Sequence, residues 1–492
     1  MYLWILITGG AFSFFAAMGI GANDAANSFA TSIGSKALNM KQAIILAAIF
    51  ETAGAILMGS HVTDTIRKGI SDYKCFEEQP ELLMYGCMWV VLSVGLWLFL
   101  ASKYEMPVST THSCVGGMIG MTMVLAGPDC VIWYKPLESF PYMGGVCGIV
   151  LSWVLSPIFS ALFAIFIFGV TRTLVLRKDF NSYRINIAYP VLIGSTMTIN
   201  SFFIIYKGAK GLGLHKTPLE VALGSAFGIG LGCAIITIPI VPYLKKFINK
   251  KVNNQIEEST PSENIEMITN DVTKNKDKLN IKSTNEMNRI IKLHEKAEKF
   301  NVKTEELFKY LQIFTAICCS FSHGANDVAN AIGPFAVIYV LYENNYNITS
   351  GETDMGNNAY WILAMGGGGI AIGLFVYGYK IIYAMGEKLC KITPSRGTAI
   401  ELSSALVIII GSRLKIPLST THCQVGATTG VGFLENTKNC SGINCRVFGK
   451  TVVGWLVTCV IVGLTTALLT AQGTYSPAVN GWGNVPTNYT LN

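Results

Sequence analysis

The chain has 492 residues, 51% of them hydrophobic and 14% charged, with a formal net charge of +7. Soluble domains carry about 25% charged residues, so this composition, with a mean hydropathy of +0.44, excludes an ordinary soluble fold and points to an all-α polytopic membrane protein. The positive balance is no nucleic-acid signal, because residues 245–309 alone hold 25 of the 67 Lys, Arg, Asp and Glu residues.

Hydropathy predicts about twelve spans, near 3–24, 42–60, 83–101, 108–127, 143–170, 187–206, 218–243, 310–340, 360–384, 398–412, 417–434 and 450–471. The first lacks a basic leader region and a cleavage site, and reads as a retained span rather than a signal peptide. Several spans are short against the roughly 20 residues a bilayer requires. The thirteen cysteines lie mostly in apolar stretches and read as small buried hydrophobes. Cys75 and Cys130 fall in loops assigned outside, where a disulfide is open to them.

With the amino terminus outside, the short inside loops carry 14 Lys and Arg against nine outside, as the positive-inside rule requires. The glycosylation sequons at Asn347 and Asn488 then fall outside, and the one at Asn439 falls inside, against the scheme. Residues 249–285 are rich in Asn, Lys, Glu, Ser and Thr without an aromatic residue, and are expected to be disordered. Residues 286–309 place Met287, Ile290, Ile291, His294, Ala297 and Phe300 at helical spacing. This predicts either an amphipathic helix on the cytoplasmic membrane face or a helical linker into the eighth span.

Two polar motifs interrupt the apolar pattern, each twice and in the same order. Gly21-Ala22-Asn23-Asp24-Ala25-Ala26-Asn27 recurs as Gly324-Ala325-Asn326-Asp327-Val328-Ala329-Asn330, 303 residues on. Pro107-Val108-Ser109-Thr110-Thr111-His112 recurs as Pro417-Leu418-Ser419-Thr420-Thr421-His422, 310 residues on. Seven predicted spans separate each pair of copies, and an odd offset turns the second copy upside down. Two inverted-topology repeats with broken helices at the midplane are the sequence form of a secondary transporter. The division expected is a first membrane repeat over 1–127, connecting spans over 128–244, a cytoplasmic loop over 245–309, a second repeat over 310–434, and a last span with an extracellular tail over 435–492.

A carboxylate within a membrane span is costly and marks an ion or substrate path. Asp24 with Asn27, and Asp327 with Asn330, share a helix face at i, i+3. With Asn23, Asn326 and freed backbone carbonyls they form a hard-oxygen set suited to Na+, and Gly21 and Gly324 permit the unwound turn that frees those carbonyls. Each Pro-x-Ser-Thr-Thr-His stretch reads as a helix start. Its free N–H groups, dipole and the hydroxyls of Ser109, Thr110, Thr111, Ser419, Thr420 and Thr421 suit an oxyanion, or serve as ordinary caps. His112 and His422 either donate to that anion or cap a carbonyl, and His323 either tunes the second cation site or is a satisfied buried histidine. Glu51 and Glu401 are the other acidic residues within spans, candidates for a cation, a proton or a structural bond. They are not equivalently placed: Glu401 precedes Pro417 by 16 residues, and Glu51 precedes Pro107 by 56. Asn200 reads as an interhelical hydrogen-bonding residue, and Gly366–Gly369 as a site of close helix packing. No nucleophile–base pair or metal cluster outside the spans suggests an enzyme.

With GANDAANSFATSIGS, GANDVANAIGP and both Ser-Thr-Thr-His segments in view, the chain resembles the inorganic phosphate transporter (PiT) family. ETAGAILMGSHVTDTIRKGI (51–70) and the run around Glu401 are also similar to family segments. The resemblance implies twelve spans, outside termini and a large cytoplasmic loop after span 7. It implies phosphate uptake coupled to sodium or protons, with the animal-type likeness favouring sodium, and sulfate as the substrate of some members. It places the coupling cations at Asp24, Asn27, Asp327 and Asn330 and phosphate at the six hydroxyl residues. The expectation is a plasma-membrane Na+–phosphate symporter working by alternating access, with Na+ as coupling ion and no other cofactor. Its partners are inorganic phosphate, Na+ and the lipid bilayer, with a homodimer open and no nucleic acid. The alternatives are a proton-coupled phosphate or sulfate symporter and a phosphate-sensing membrane receptor.

Overall fold

The computed structural model describes residues 2–475 except 61–62, 64–68, 139–141, 207–213, 215–216, 259–283, 347–358, 414–417 and 436–441. The three sequons and part of the polar loop lie outside the described residues. What is described is almost wholly helical. The first half comprises α1 (Leu3–Ile20), a π-helical turn (Gly21–Ala25), α2 (Ala26–Gly34), α3 (Met40–Met58), α4 (Pro80–Lys103) and α5 (Thr110–Leu125). Then follow β1 (Lys135–Pro136) and β2 (Met143–Gly144), paired antiparallel, α6 (Gly145–Thr171), α7 (Tyr183–Ile205) and α8 (Leu219–Glu258). The remaining helices are α9 (Thr284–Lys296), α10 (Val302–Glu343), α11 (Ala359–Tyr377), α12 (Tyr379–Glu387), α13 (Pro394–Arg413), α14 (Thr420–Glu435) and α15 (Cys445–Tyr475).

Local chemistry sets several of these boundaries. Asn39 caps α3 by a reciprocal exchange with Gln42: its side chain accepts from the Gln42 N–H, and the Gln42 side chain accepts from the Asn39 N–H. Pro80 opens α4, where its missing N–H costs nothing. The side chain of Ser109 accepts from the His112 N–H and starts α5.

Eight helices among the described residues are long and apolar enough to cross a membrane, so the chain is a multi-pass membrane protein. Four segments expected as spans differ from these for a physical reason. The helices α5 and α14 have only 16 residues each and are filled with hydroxyl and small side chains. The 310–340 and 398–412 segments lie within α10 and α13, which bury acidic and hydroxyl residues along with apolar ones.

The lipid-type faces are legible in α15. Thr451, Gly454, Thr458, Val462, Thr466 and Thr470 point inward, whereas Val453, Leu456, Val460, Leu464 and Leu468 stand exposed. Small residues inside and Leu outside is the inverse of a soluble helix and allows close backbone approach. At the centre α1, α3, α4, α10 and α11 pack together, α5 lies along α15, and α14 lies along α6. The α7–α8 pair packs mainly on itself at the margin. Asn200 donates to the Thr196 carbonyl within its own helix and makes no interhelical bond among the described residues.

The polar loop turns out more ordered at its two ends than its composition suggests. Its first residues extend α8 to Glu258, and the predicted 286–309 helix is two helices, α9 and the start of α10. Between them, Glu298 pairs with Arg172 and Arg177. The Arg177 hydrogen bonds, with Arg172 and Arg396 nearby, hold the Glu298 carboxyl below its usual range against a smaller opposing effect of burial. The backbone of Glu298 also donates to Glu435 and accepts from Arg396. Arg396 is 1% exposed, pairs with Glu435 at 2.6 Å and lies against the rings of Phe168 and Phe300. Elsewhere Cys75 and Cys130 are joined by a disulfide beside the Ser71–Val131 bridge.

Candidate functional site

The two polar motifs meet in the middle of the bundle. The Thr111 hydroxyl donates to the Leu418 carbonyl at 3.1 Å, and the Thr421 hydroxyl donates to the Val108 carbonyl at 3.1 Å. The starts of α5 and α14 are therefore tied to each other reciprocally. All six residues Ser109, Thr110, Thr111, Ser419, Thr420 and Thr421 are buried there.

Each acidic motif lies against a helix start. Asp24 accepts from the Thr110 N–H through Oδ2 at 3.1 Å, while its Oδ1 is buried without a partner among the described residues. Asp327 accepts from the Thr420 hydroxyl at 2.6 Å and from the Asn326 amide at 2.8 Å. Asn330 donates to the hydroxyls of Thr110 and Thr111, and its Oδ1 has no partner among the described residues. The side chain of Asn27 lies outside the described ones. A small cavity is lined by Asp24, Ser28, Cys319, His323, Ser404, Ile408, Thr420 and Gln424. It thus joins the first acidic motif to the second hydroxyl motif.

The expected unwound turns are not present. The backbone stays helical through both motifs, as a π-turn at Gly21–Ala25 and as uninterrupted α10 at Gly324. The two glycines serve close packing instead. A Cβ on Gly21 would collide with the Ile370 carbonyl of α11, and one on Gly324 with the Glu51 carbonyl of α3. A π-turn is a common local distortion at functional sites. Gly366 and Gly369 likewise face neighbouring helices, against Val328 and Ala17.

Asn23 has a role that the motif spacing did not reveal. Its amide donates to the Ser102 hydroxyl and the Met106 carbonyl, and its Oδ1 accepts from the Val108 N–H. These bonds hold the 104–109 loop, in which Glu105 has φ 57 and pairs with Lys388 at 2.7 Å. Asn326 similarly donates to the Leu418 carbonyl. Both asparagines fix the loops that carry the hydroxyls.

Two further buried carboxylates flank this centre. His323 links Glu51, at 2.7 Å through Nδ1, to Asp327, at 2.8 Å through Nε2; the second contact is close but is not aligned as a hydrogen bond. Ser320 also donates to Glu51. Glu401 accepts from Thr31, Ser32, Gln312 and Thr315 at 2.5–3.2 Å. Among the described residues, the hydrogen-bond and ion-pair partners of Asp24, Glu51, Asp327 and Glu401 are hydroxyls, amides, a backbone N–H and a histidine, with no lysine or arginine. Among the described residues, neither histidine after the hydroxyls bonds into the cavity: the His112 Nδ1 lies 3.1 Å from the Trp455 carbonyl, and the His422 Nδ1 lies 2.6 Å from the Ser419 hydroxyl.

A multi-pass bundle that buries carboxylates beside facing helix starts has the build of a permease for small ions. The family profile described as the phosphate transporter family matches residues 20–466, and the chain belongs to that family. It is 34% identical over 453 residues to a putative phosphate permease of Pyrococcus abyssi, covering 92% of this chain and 94% of that one. It is 27% identical to sodium-dependent phosphate transporter 1 of Mus musculus, with 96% of each chain covered. A solved structure titled the sodium-dependent phosphate transporter aligns with a TM-score of 0.74 and 30% identity over 96% of this chain and 100% of that chain. The family is one of transporters, not of enzymes.

Proposed function

We propose that this protein is a symporter importing inorganic phosphate with Na+ by alternating access between two inverted repeats whose hydroxyl-bearing breaks lie at the membrane midplane. The observation that carries the reading is the unpartnered Oδ1 of Asp24 in a cavity shared with Thr420. A buried carboxylate oxygen without a donor is costly unless a cation occupies it. The facing helix starts supply N–H groups and hydroxyls for an oxyanion. Cation charge at Asp24 and Asp327 would offset the anion's own charge in a low-dielectric space. Phosphate and sodium are favoured by the names of the relatives. The Lys and Arg bias supports an orientation with both termini outside and the 245–309 loop in the cytoplasm, and the plasma membrane is the location proposed for it. The Cys75–Cys130 disulfide suits the outside assignment of those loops.

A second reading, proton coupling, draws on His323 between Glu51 and Asp327, since an imidazole there can carry a proton from one carboxylate to the other. Labelled-phosphate uptake into proteoliposomes of the purified chain separates the readings. Uptake should require Na+ outside, collapse when choline replaces it, and resist competition by sulfate. Uptake driven by a pH gradient in choline would establish proton coupling, and binding without accumulation would establish a receptor.

A further inference from the structure

Four aromatic rings stand behind the paired helix starts. His112 lies over Trp153 with centroids 3.5 Å apart, His112 and His422 are 4.6 Å apart, and His422 stacks on Trp455 at 3.6 Å. The connectivity is crossed. Trp153 stands on α6, which packs along α14, yet it meets the histidine of α5. Trp455 stands on α15, which packs along α5, yet it stacks on the histidine of α14. The row therefore joins both helix starts to both supporting helices.

Hydrogen bonding does not explain where the indoles sit. Both indole N–H groups are buried without a partner among the described residues, although buried tryptophans usually find one. Stacking on the histidines, together with apolar packing, holds the rings. The His112 ring is oriented further because its Nδ1 faces a carbonyl, an acceptor only, so that nitrogen donates. His422 in turn contacts the hydroxyl of Ser419, the cap of its own helix. Ring position is thereby transmitted to the residues adjoining the cavity.

We propose that Trp153 and Trp455 are positioning residues for phosphate binding: through His112 and His422 they clasp the two helix starts in register, though neither indole lines the cavity. This inference rests on the transport reading above and adds specific residues to it. A planar ring with two rotatable bonds gives a rigid contact, so another flat ring should substitute where a branched aliphatic cannot.

The test compares Trp153→Phe and Trp455→Phe with Trp153→Leu and Trp455→Leu in proteoliposomes, reading the KM for phosphate separately from Vmax. KM does not depend on the amount of protein reconstituted, so poor expression does not obscure it. The Phe variants should keep KM within about twofold, and the Leu variants should raise it about tenfold, as expected when binding groups lose their placement. Leu variants with a wild-type KM and only a lowered Vmax would overturn the inference, as would Phe and Leu variants that behave alike. Failure of the wild-type protein to take up phosphate would instead remove the transport reading, and this inference with it.

Discussion

Thr110 meets Asp24 through its backbone N–H, whereas Thr420 meets Asp327 through its hydroxyl. The two acidic motifs are alike in sequence but differ in how much of each carboxylate the protein satisfies. One oxygen of Asp24 has no hydrogen-bond partner among the described residues, while both oxygens of Asp327 are engaged. Asp24→Ala and Asp327→Ala should each nearly abolish phosphate uptake. Asp24→Asn, which keeps the shape and removes the charge, should lower it about 10- to 100-fold, the factor for one lost charged-group interaction. Uptake normalised to surface-labelled protein measures this, and wild-type rates in any of the three would contradict the cation assignment.

The crossed bonds from Thr111 and Thr421 give a separate expectation. Each hydroxyl–carbonyl bond contributes about 1 kcal/mol, so Thr111→Val or Thr421→Val should weaken apparent phosphate affinity about fivefold. Because both bonds hold the same junction, the double variant should depart from the sum of the singles. Strict additivity in a double-mutant cycle on KM would show that the two helix starts act independently.

Arg396 and Glu435 make a case for stability rather than transport. Removing one partner strands a buried charge, so Arg396→Ala should lower unfolding stability by about 3–5 kcal/mol. Replacing both with methionine should recover part of that loss. Thermal unfolding of the detergent-solubilised protein reports both variants; a double variant less stable than the single would refute the pairing argument.

Glu298 makes a pH-dependent contribution. Its carboxyl is held low by Arg177, with Arg172 and Arg396 adding to the effect. A depressed carboxyl contributes stability that is present above its unfolded value, near pH 4.3, and is lost as pH falls through the lower folded value. Unfolding scans below about pH 5 should show a steeper decline for wild type than for Glu298→Gln. Parallel curves would mean the contact carries no net stability.

Much of the site could be read from residues alone, because the doubled motifs combine groups that membranes rarely tolerate singly. Counting spans speaks to the orientation of the copies and not to their meeting; the Thr111–Leu418 and Thr421–Val108 contacts are seen only in the folded chain. The spacing argument reached less far for Asn23. An i, i+3 face describes one helix, but the bonding partners of Asn23 lie 79–85 residues away, at the end of α4 and in the 104–109 loop. Trp153 and Trp455 carried no local signal, since a tryptophan in an apolar run looks like any other lipid-facing or core ring. The glycines were misread for a related reason: Gly permits either an unwound turn or a close crossing, and only the position of α3 and α11 decides between them.

The reciprocal threonine bonds bear on how such a molecule assembles. Each donor belongs to one half of the chain and each acceptor to the other, so a half produced alone would present open valences where its ligand groups should settle. Separately expressed pieces would have to associate before either could acquire its working shape.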